Sequence, residues 1–318
     1  MSETTKAPLG LAQADRTAVV LCSSWALLAI VSFVAFSVLP AAVRSLWFPT
    51  VVSLLKVGAF SISAALCWRN AQDNSILSGQ VVWQAIAAGM AFHAFGDTTV
   101  LLWRSLWGLT SVASLGVVFY TASYIFLSIG LLNAVLPRQI NLSTWQSVGI
   151  AVTGLAGILL ACWLNFYPFD AIAQTPTAPV SLPAKGTTVS SSSLDSAATP
   201  TAPAIVQLID ERLSGVSNKV GLLHGIGDCV LLVMAAVLFV AFWEGTYSEA
   251  WKLIALATLC LYVADMFLIY EVRRGSYAQG APWELFWILS ALFFGLGAGV
   301  ERGISVKMLR KRSRQQWL

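Results

Sequence analysis

Charge is what this chain has least of. Only 11% of its 318 residues are Asp, Glu, Lys or Arg, against 57% hydrophobic, where a soluble domain carries about 25% charged residues. That shortage leaves too few polar side chains to cover a water-facing surface and excludes an ordinary soluble domain. Histidine is scarcer still: His93 and His224 are the two there are. The five cysteines (Cys22, Cys67, Cys162, Cys229, Cys260) are odd in number and all fall in apolar runs. They read as small buried hydrophobes, not as a disulfide frame or a metal site. There is no G-x-S-x-G elbow and no glycine-rich phosphate loop, so serine-nucleophile and nucleotide chemistry lack their motifs. The opening "MSETTKAPLGLAQADR" is polar and contains acids, and the apolar run after it is longer than the core of a cleavable signal peptide.

What the chain has is long apolar runs, several able to cross a hydrocarbon layer of ~30 Å at ~1.5 Å per residue. The expected fold class is an all-α polytopic membrane protein. Eight helices are expected, over residues 17–39, 50–67, 81–103, 112–136, 145–165, 218–243, 249–271 and 283–300. They divide the chain into a cytoplasmic segment 1–16, a first membrane region 17–165, a linker 166–216, a second membrane region 217–300 and a basic tail 301–318. The linker contains "TPTAPVSLPAKGTTVSSSSLDSAATPTAP", too poor in apolar residues to order itself. With an even helix number both termini share a side, which carries Lys6, Arg16, Arg69, Arg138, Lys252, Arg302, Lys307, Arg310, Lys311, Arg312 and Arg314. The other side has Arg44, Arg104, Arg273 and Arg274 in short loops, and Lys185, Arg212 and Lys219 around the long one. Both termini are therefore expected in the cytoplasm of a cell whose plasma (bacterial inner) or internal membrane holds the protein. The formal charge of +4 is mostly the tail "RGISVKMLRKRSR", which suits an anionic leaflet better than nucleic acid.

Two strings stand out in the greasy background, "HAFGDTTVLL" (93–102) and "HGIGDCVLL" (224–232). They lie on the third and sixth helices, which run in opposite directions, so they are not each other's repeat. A better register sets "WQAIAAGMAFHAFGD" (83–97) on "WKLIALATLCLYVAD" (251–265). It aligns Asp97 with Asp265, Lys56 with His224, and Gly130 with Ala298. Two four-helix repeats related by an axis along the membrane normal would follow.

Lys56, Asp97, His224 and Asp265 each lie ~9 Å below the outer ends of their helices, with His93 and Asp228 a turn deeper. A charge within a span costs roughly 2.5–3.5 kcal/mol on insertion scales, so these six groups should face the bundle interior and pair. Either they are structural pairs, with Lys56 on one aspartate and each histidine on an aspartate, or they line a polar site. In the first case Lys56 neutralises one aspartate permanently, while His224 neutralises the other and can titrate. The i,i+4 pairs His93/Asp97 and His224/Asp228 also fit a zinc site, or the two histidines a haem. Trp103, Trp107, Trp283, Trp287 and Tyr277 read most simply as an interfacial belt.

Two resemblances bear on function. The segments "GIGDCVLLV" and "WKLIALATLCLYVADMFLIYEVRRGSYAQGAPWELFWILSALFFGLGA" resemble the membrane-embedded input region ahead of diguanylate cyclase and histidine kinase domains in bacterial proteins. With no effector domain after residue 300, that resemblance implies a non-enzymatic signalling sensor or accessory module acting through a partner protein, membrane-bound or cytoplasmic. The chain is also similar to the eight-helix lysoplasmalogenase-like family, with G-D on the third helix, an aspartate on the seventh, and "LLKVGAF" on the second. Where that family usually has His and Tyr three apart, this chain reads "YTASYIF". This similarity implies Asp97 and Asp265 as acid and base on a vinyl-ether lipid. The topology is testable first: labels at Ser190 and Arg314 should report opposite sides of the membrane, and the same side for both would sink the assignment.

Overall fold

The structure is a computed structural model, which describes residues 15–39, 41–108, 115–136, 143–167, 202–214, 217–242 and 248–315. Eight described helices are long and apolar enough to cross a membrane, and no strand occurs among the described residues. They are α1 (Arg16–Ser37), α2 (Ala41–Ala71), α3 (Gln80–Trp107), α4 (Gly116–Val135), α5 (Thr144–Phe166), α7 (Ser217–Ala241), α8 (Ser248–Arg273) and α9 (Leu285–Gln315), with a shorter α6 (Ala204–Ser214) between α5 and α7. The chain is a multi-pass, all-α membrane-type bundle.

Two boundaries differ from the expected ones for physical reasons. Pro49 reads as a helix start, the position proline favours, yet α2 begins eight residues earlier and carries Pro49 inside it. The last helix does not stop at residue 300; it runs to Gln315, because "GISVKMLRKRSR" holds no proline and only one glycine, at its start, against several good helix formers. Within the expected linker, 204–214 is helical, started by Pro203, whose carbonyl accepts from the amides of Val206 and Gln207. The linker's central part, residues 168–201, and the segment 1–14 lie outside the described residues, as do the side chains of 310–314.

Six helices close a ring in which α2 packs on α3, α3 on α4, α4 on α7, α7 on α8, α8 on α9, and α9 back on α2. α1 lies outside against α2 and α9, and α5 outside against α7 and α8. Advancing by half the ring maps α2, α3 and α4 onto α7, α8 and α9, and the contacts follow the sequence register. Trp83 and Trp251, equivalent at an offset of 168, are both fully buried and touch each other, with ring centroids 6.1 Å apart. Equivalent residues meet only near the axis that relates them, so the axis passes between these indoles.

The offset changes at the fourth and last helices. A methyl placed on Gly130 would fall 2.8 Å from Ile86 Cγ1 and 3.3 Å from the Val82 carbonyl. On Gly297 it would fall 2.8 Å from Ile254 Cδ1 and 3.1 Å from the Ala250 carbonyl. Ile86 and Val82 correspond to Ile254 and Ala250, so Gly130 corresponds to Gly297 and not to Ala298. The first half has one residue more in the connection leading into its last helix.

The α2/α9 seam shows how polar groups are laid into this bundle. Lys56, Ser63 and Asn70 donate to Glu284, the Ala291 carbonyl and the Ala298 carbonyl, every pair 228 positions apart. A constant separation requires parallel helices in fixed register, and a seven-residue step is the repeat of helices that wind around one another. Replacing Gly130 or Gly297 with Leu should force these packed pairs apart and destabilise the protein by about 1–3 kcal/mol, the usual range for overpacking. Gly149→Leu, on a helix face with open space around it, should leave the thermal midpoint in detergent unchanged.

Candidate functional site

All six polar residues singled out by depth lie toward the end of the ring that carries the α8–α9 connection. Each of the six ring helices, counting the turn that opens α9, sends at least one polar side chain there. α2 gives Lys56, α3 His93 and Asp97, α4 Tyr120, Thr121 and Tyr124, α7 His224 and Asp228, and α8 Asp265. The 3-10 turn Pro282–Glu284 and α9 give Glu284 and Trp287. Hydrogen bonds and ring contacts join most of them into one network.

Its first arm surrounds Lys56. The ammonium lies 2.9 Å from Glu284 Oε2 and 3.9 Å from Asp97 Oδ1, within the range expected for compensation of Asp97. Glu284, not foreseen, is its nearer partner and is fully buried. The Gly280 amide donates to the other Glu284 oxygen at 2.6 Å. The Tyr120 hydroxyl donates to Asp97 Oδ1 at 2.9 Å, while Asp97 Oδ2 is buried without a hydrogen-bond partner.

The second arm surrounds Asp265. The Trp287 indole donates to Asp265 Oδ1 at 2.9 Å, and the same ring lies under the Lys56 ammonium, 4.5 Å from its centroid. Trp287 therefore joins the arms. The Tyr124 hydroxyl is 2.5 Å from Asp265 Oδ2 and 2.7 Å from Asp228 Oδ1. The donors repeat as the helices do: Tyr120 reaches Asp97 across 23 positions, and Trp287 reaches Asp265 across 22.

The histidines behave differently from the expectation. Neither pairs with an aspartate. His224 Nε2 lies 2.8 Å from Thr121 Oγ1; Thr121 gives its single proton to the Val117 carbonyl, so His224 is the donor. His93 stacks on Phe60 at 4.0 Å and lies 3.4 Å from Ser123. Lys56 and His224 occupy repeat-related positions, but hydroxyl chemistry replaces ion pairing on the second. For a metal, among the described residues no three His, Cys, Asp or Glu side chains are grouped to hold one. The i,i+4 spacing puts His and Asp on one face, but the rings are turned to Phe60, Ser123 and Thr121. Trp287 is also not a belt residue; at 7% exposure it sits inside the network. Of the cysteines, Cys22, Cys67 and Cys260 are buried as expected, whereas Cys162 is exposed on α5, where an apolar exterior accepts it as readily as a core does.

A short loop covers this end. Gln279 donates to Ser53 at 2.6 Å and accepts from Arg104, which also reaches Thr50. Tyr277 packs against Trp283, and burial pushes its phenol up to about 12, with Lys56 pulling the other way. It therefore stays neutral. Gly275 and Gly280 take positive φ, +65° and +91°, which the tight return of this loop requires. Away from the network an apolar groove of about 440 Å³ opens between α5 and α7, lined by Ile158, Cys162, Gly225, Cys229 and Val233 among others.

Compared with protein-family models, curated proteins and solved structures, the chain matches none. Function has to be argued from the residues. Glu284 was hidden at the start of a tryptophan-rich segment, and Tyr120 and Tyr124 in a string notable for lacking histidine; their one-turn spacing was the available signal. Lys56→Met should strand Glu284 and Asp97 and cost roughly 3–5 kcal/mol, the scale of a broken buried pair. Adding Glu284→Gln should recover part of that loss in thermal unfolding of the detergent-solubilised protein.

Proposed function

We propose that the protein is an intramembrane hydrolase that uses Asp97 and Asp265 as a general base and a general acid on a lipid-borne, acid-labile ether. The observation that carries this reading is the pair of carboxylates at repeat-related positions, each held by one aromatic donor from the following helix. Paired carboxyl groups in unlike surroundings are the usual way to run acid and base chemistry together. Asp97 has a cation beside it and a free inward oxygen, which suits a base. Asp265 has a second carboxyl group, Asp228, one phenol away, a group able to supply it with the proton an acid must deliver.

On a vinyl ether the steps balance simply. The acid protonates the vinyl carbon distal to oxygen, leaving an oxocarbenium ion at the other. Water adds there and gives its proton to the base. As the hemiacetal collapses to an aldehyde and a free alcohol, the protonated base gives its proton to the leaving oxygen and the ionised acid takes the hydroxyl proton, so one water is consumed and both carboxyl groups are reset. The groove between α5 and α7 is lined almost wholly by apolar atoms and suits a lipid chain, although it opens away from the two carboxylates. Lysoplasmalogenase-like chemistry is thus the reading the geometry favours.

The sensor reading keeps one observation of its own. The turn that carries Glu284 leads directly into the unbroken helix α9, which runs on to Gln315, a stiff connection between the polar network and the basic end of the chain. Purified protein incubated with a 1-alkenyl lysophospholipid should release aldehyde, and Asp97→Asn or Asp265→Asn should each reduce turnover by at least about 100-fold, the lower range for loss of a general acid or base. No aldehyde, together with a stably copurifying partner protein, would favour the sensor instead.

A further inference from the structure

Hydrogen-bond donors on the second arm are one short. Asp228, Tyr124 and Asp265 make two oxygen–oxygen contacts of 2.7 and 2.5 Å, but a phenol has a single proton and ionised carboxylates have none. Two such contacts with one proton would press bare lone pairs together. The first arm has no such deficit, because Lys56, Tyr120 and the Gly280 amide each bring their own hydrogen to Asp97 or Glu284. Charge gives the same answer independently. Four carboxyl groups, Asp97, Asp228, Asp265 and Glu284, converge at this end, where the cations among the described residues are Lys56 and, within electrostatic reach of Glu284, Arg104. Carboxyl groups outnumber cations here, and uncompensated charge at this depth is expensive enough to call for at least one bound proton.

We propose that Asp228 carries this missing proton and passes it through Tyr124 to Asp265, making Asp228 and Tyr124 the positioning residues that keep the acid of the site loaded. Asp228 is the place for it. It is 1% exposed, no cation among the described residues pairs with it, and its Oδ2 is buried without a partner. A neutral acid leaves such an oxygen unpaired at far lower cost than a carboxylate does. Asp265 by contrast receives both the Trp287 indole and the Tyr124 hydroxyl, which suits its ionised form between turnovers. In the transfer, Asp228 gives its O–H proton to Tyr124 Oη as Tyr124 gives its own to Asp265 Oδ2. The phenol is neutral before and after, and one negative charge moves from Asp265 to Asp228. The assignment deepens the hydrolase reading, but its resting state is independent of any substrate.

Infrared spectroscopy of the purified full-length protein at pH 7 tests it. The expected result is a neutral carboxylic-acid carbonyl band that moves down in D₂O and disappears in Asp228→Asn. Tyr124→Phe should keep the band but shift it upward, as loss of a hydrogen-bond partner does, and should lower turnover. That shift assigns the band even if the Asp228 variant fails to fold. Absence of the band from the wild type would overturn the proposal, as would a band removed by Asp97→Asn and untouched by both second-arm variants. An inactive wild type that retains the Asp228 band would end the hydrolase reading and leave the proton where it is placed here.

Discussion

Lys56 can keep a full charge inside this bundle only because Glu284 lies 2.9 Å away and Asp97 just beyond it. Much of the site depends on that constraint. A lysine at this depth cannot face lipid, so α2 must turn this face inward. A parallel neighbour must bring an acid to the same level, and α9 does so from the turn that begins it. The seven-residue ladder Lys56–Ser63–Asn70 then locks the two helices in one register along the seam. The neutral bonds in that ladder are worth only about 0.6 kcal/mol each on average. They fix position more than they stabilise.

The repeat explains why the network has two similar arms. Advancing the ring by half brings Tyr120–Asp97 onto Trp287–Asp265, despite the extra residue in the first half. That residue matters to anyone reading the sequence. A gapless alignment is right for α2 and α3 and wrong by one for α4. On a helix one position is a rotation of about 100°, enough to hide the correspondence of Gly130 with Gly297 and of Tyr120 with Trp287.

Depth was legible in the sequence, and direction around each helix was not. Lys56, His93, Asp97, His224, Asp228 and Asp265 were placed in one layer by counting residues from helix ends, and they share that layer in the structure. Which of them touch was beyond reach, because lipid is as apolar as the bundle interior. A helix in water advertises its buried face by polarity; here both faces are greasy, and α1 and α5 expose leucine and valine freely. Glu284 was lost for a related reason. Its neighbours Trp283 and Trp287 resemble an interfacial belt by composition, and only the fold shows that Trp287 points inward. Histidine–aspartate pairing failed because i,i+4 spacing gives a common face without saying what the opposite helix offers.

Divergence between the halves is where the chemistry enters. At the two positions that matter, the first half has Lys56 and Phe60 and the second has His224 and Asp228. Lys56 shares between Glu284 and Asp97 a charge that cannot be given away at neutral pH. Asp228 adds an acid and, among the described residues, no cation, so on the proposal above a proton takes the place that Lys56 fills on the first arm. On the hydrolase reading, a fixed charge beside Asp97 favours its ionised form before water attacks, the condition for a base. A shared proton can leave through Tyr124 and return, the condition for an acid that must reload. On the proposed hydrolase reading, one duplicated scaffold thus gives two carboxylates opposite roles. The asymmetry comes from how each is neutralised, not from the aspartates, whose aromatic donors and positions are equivalent.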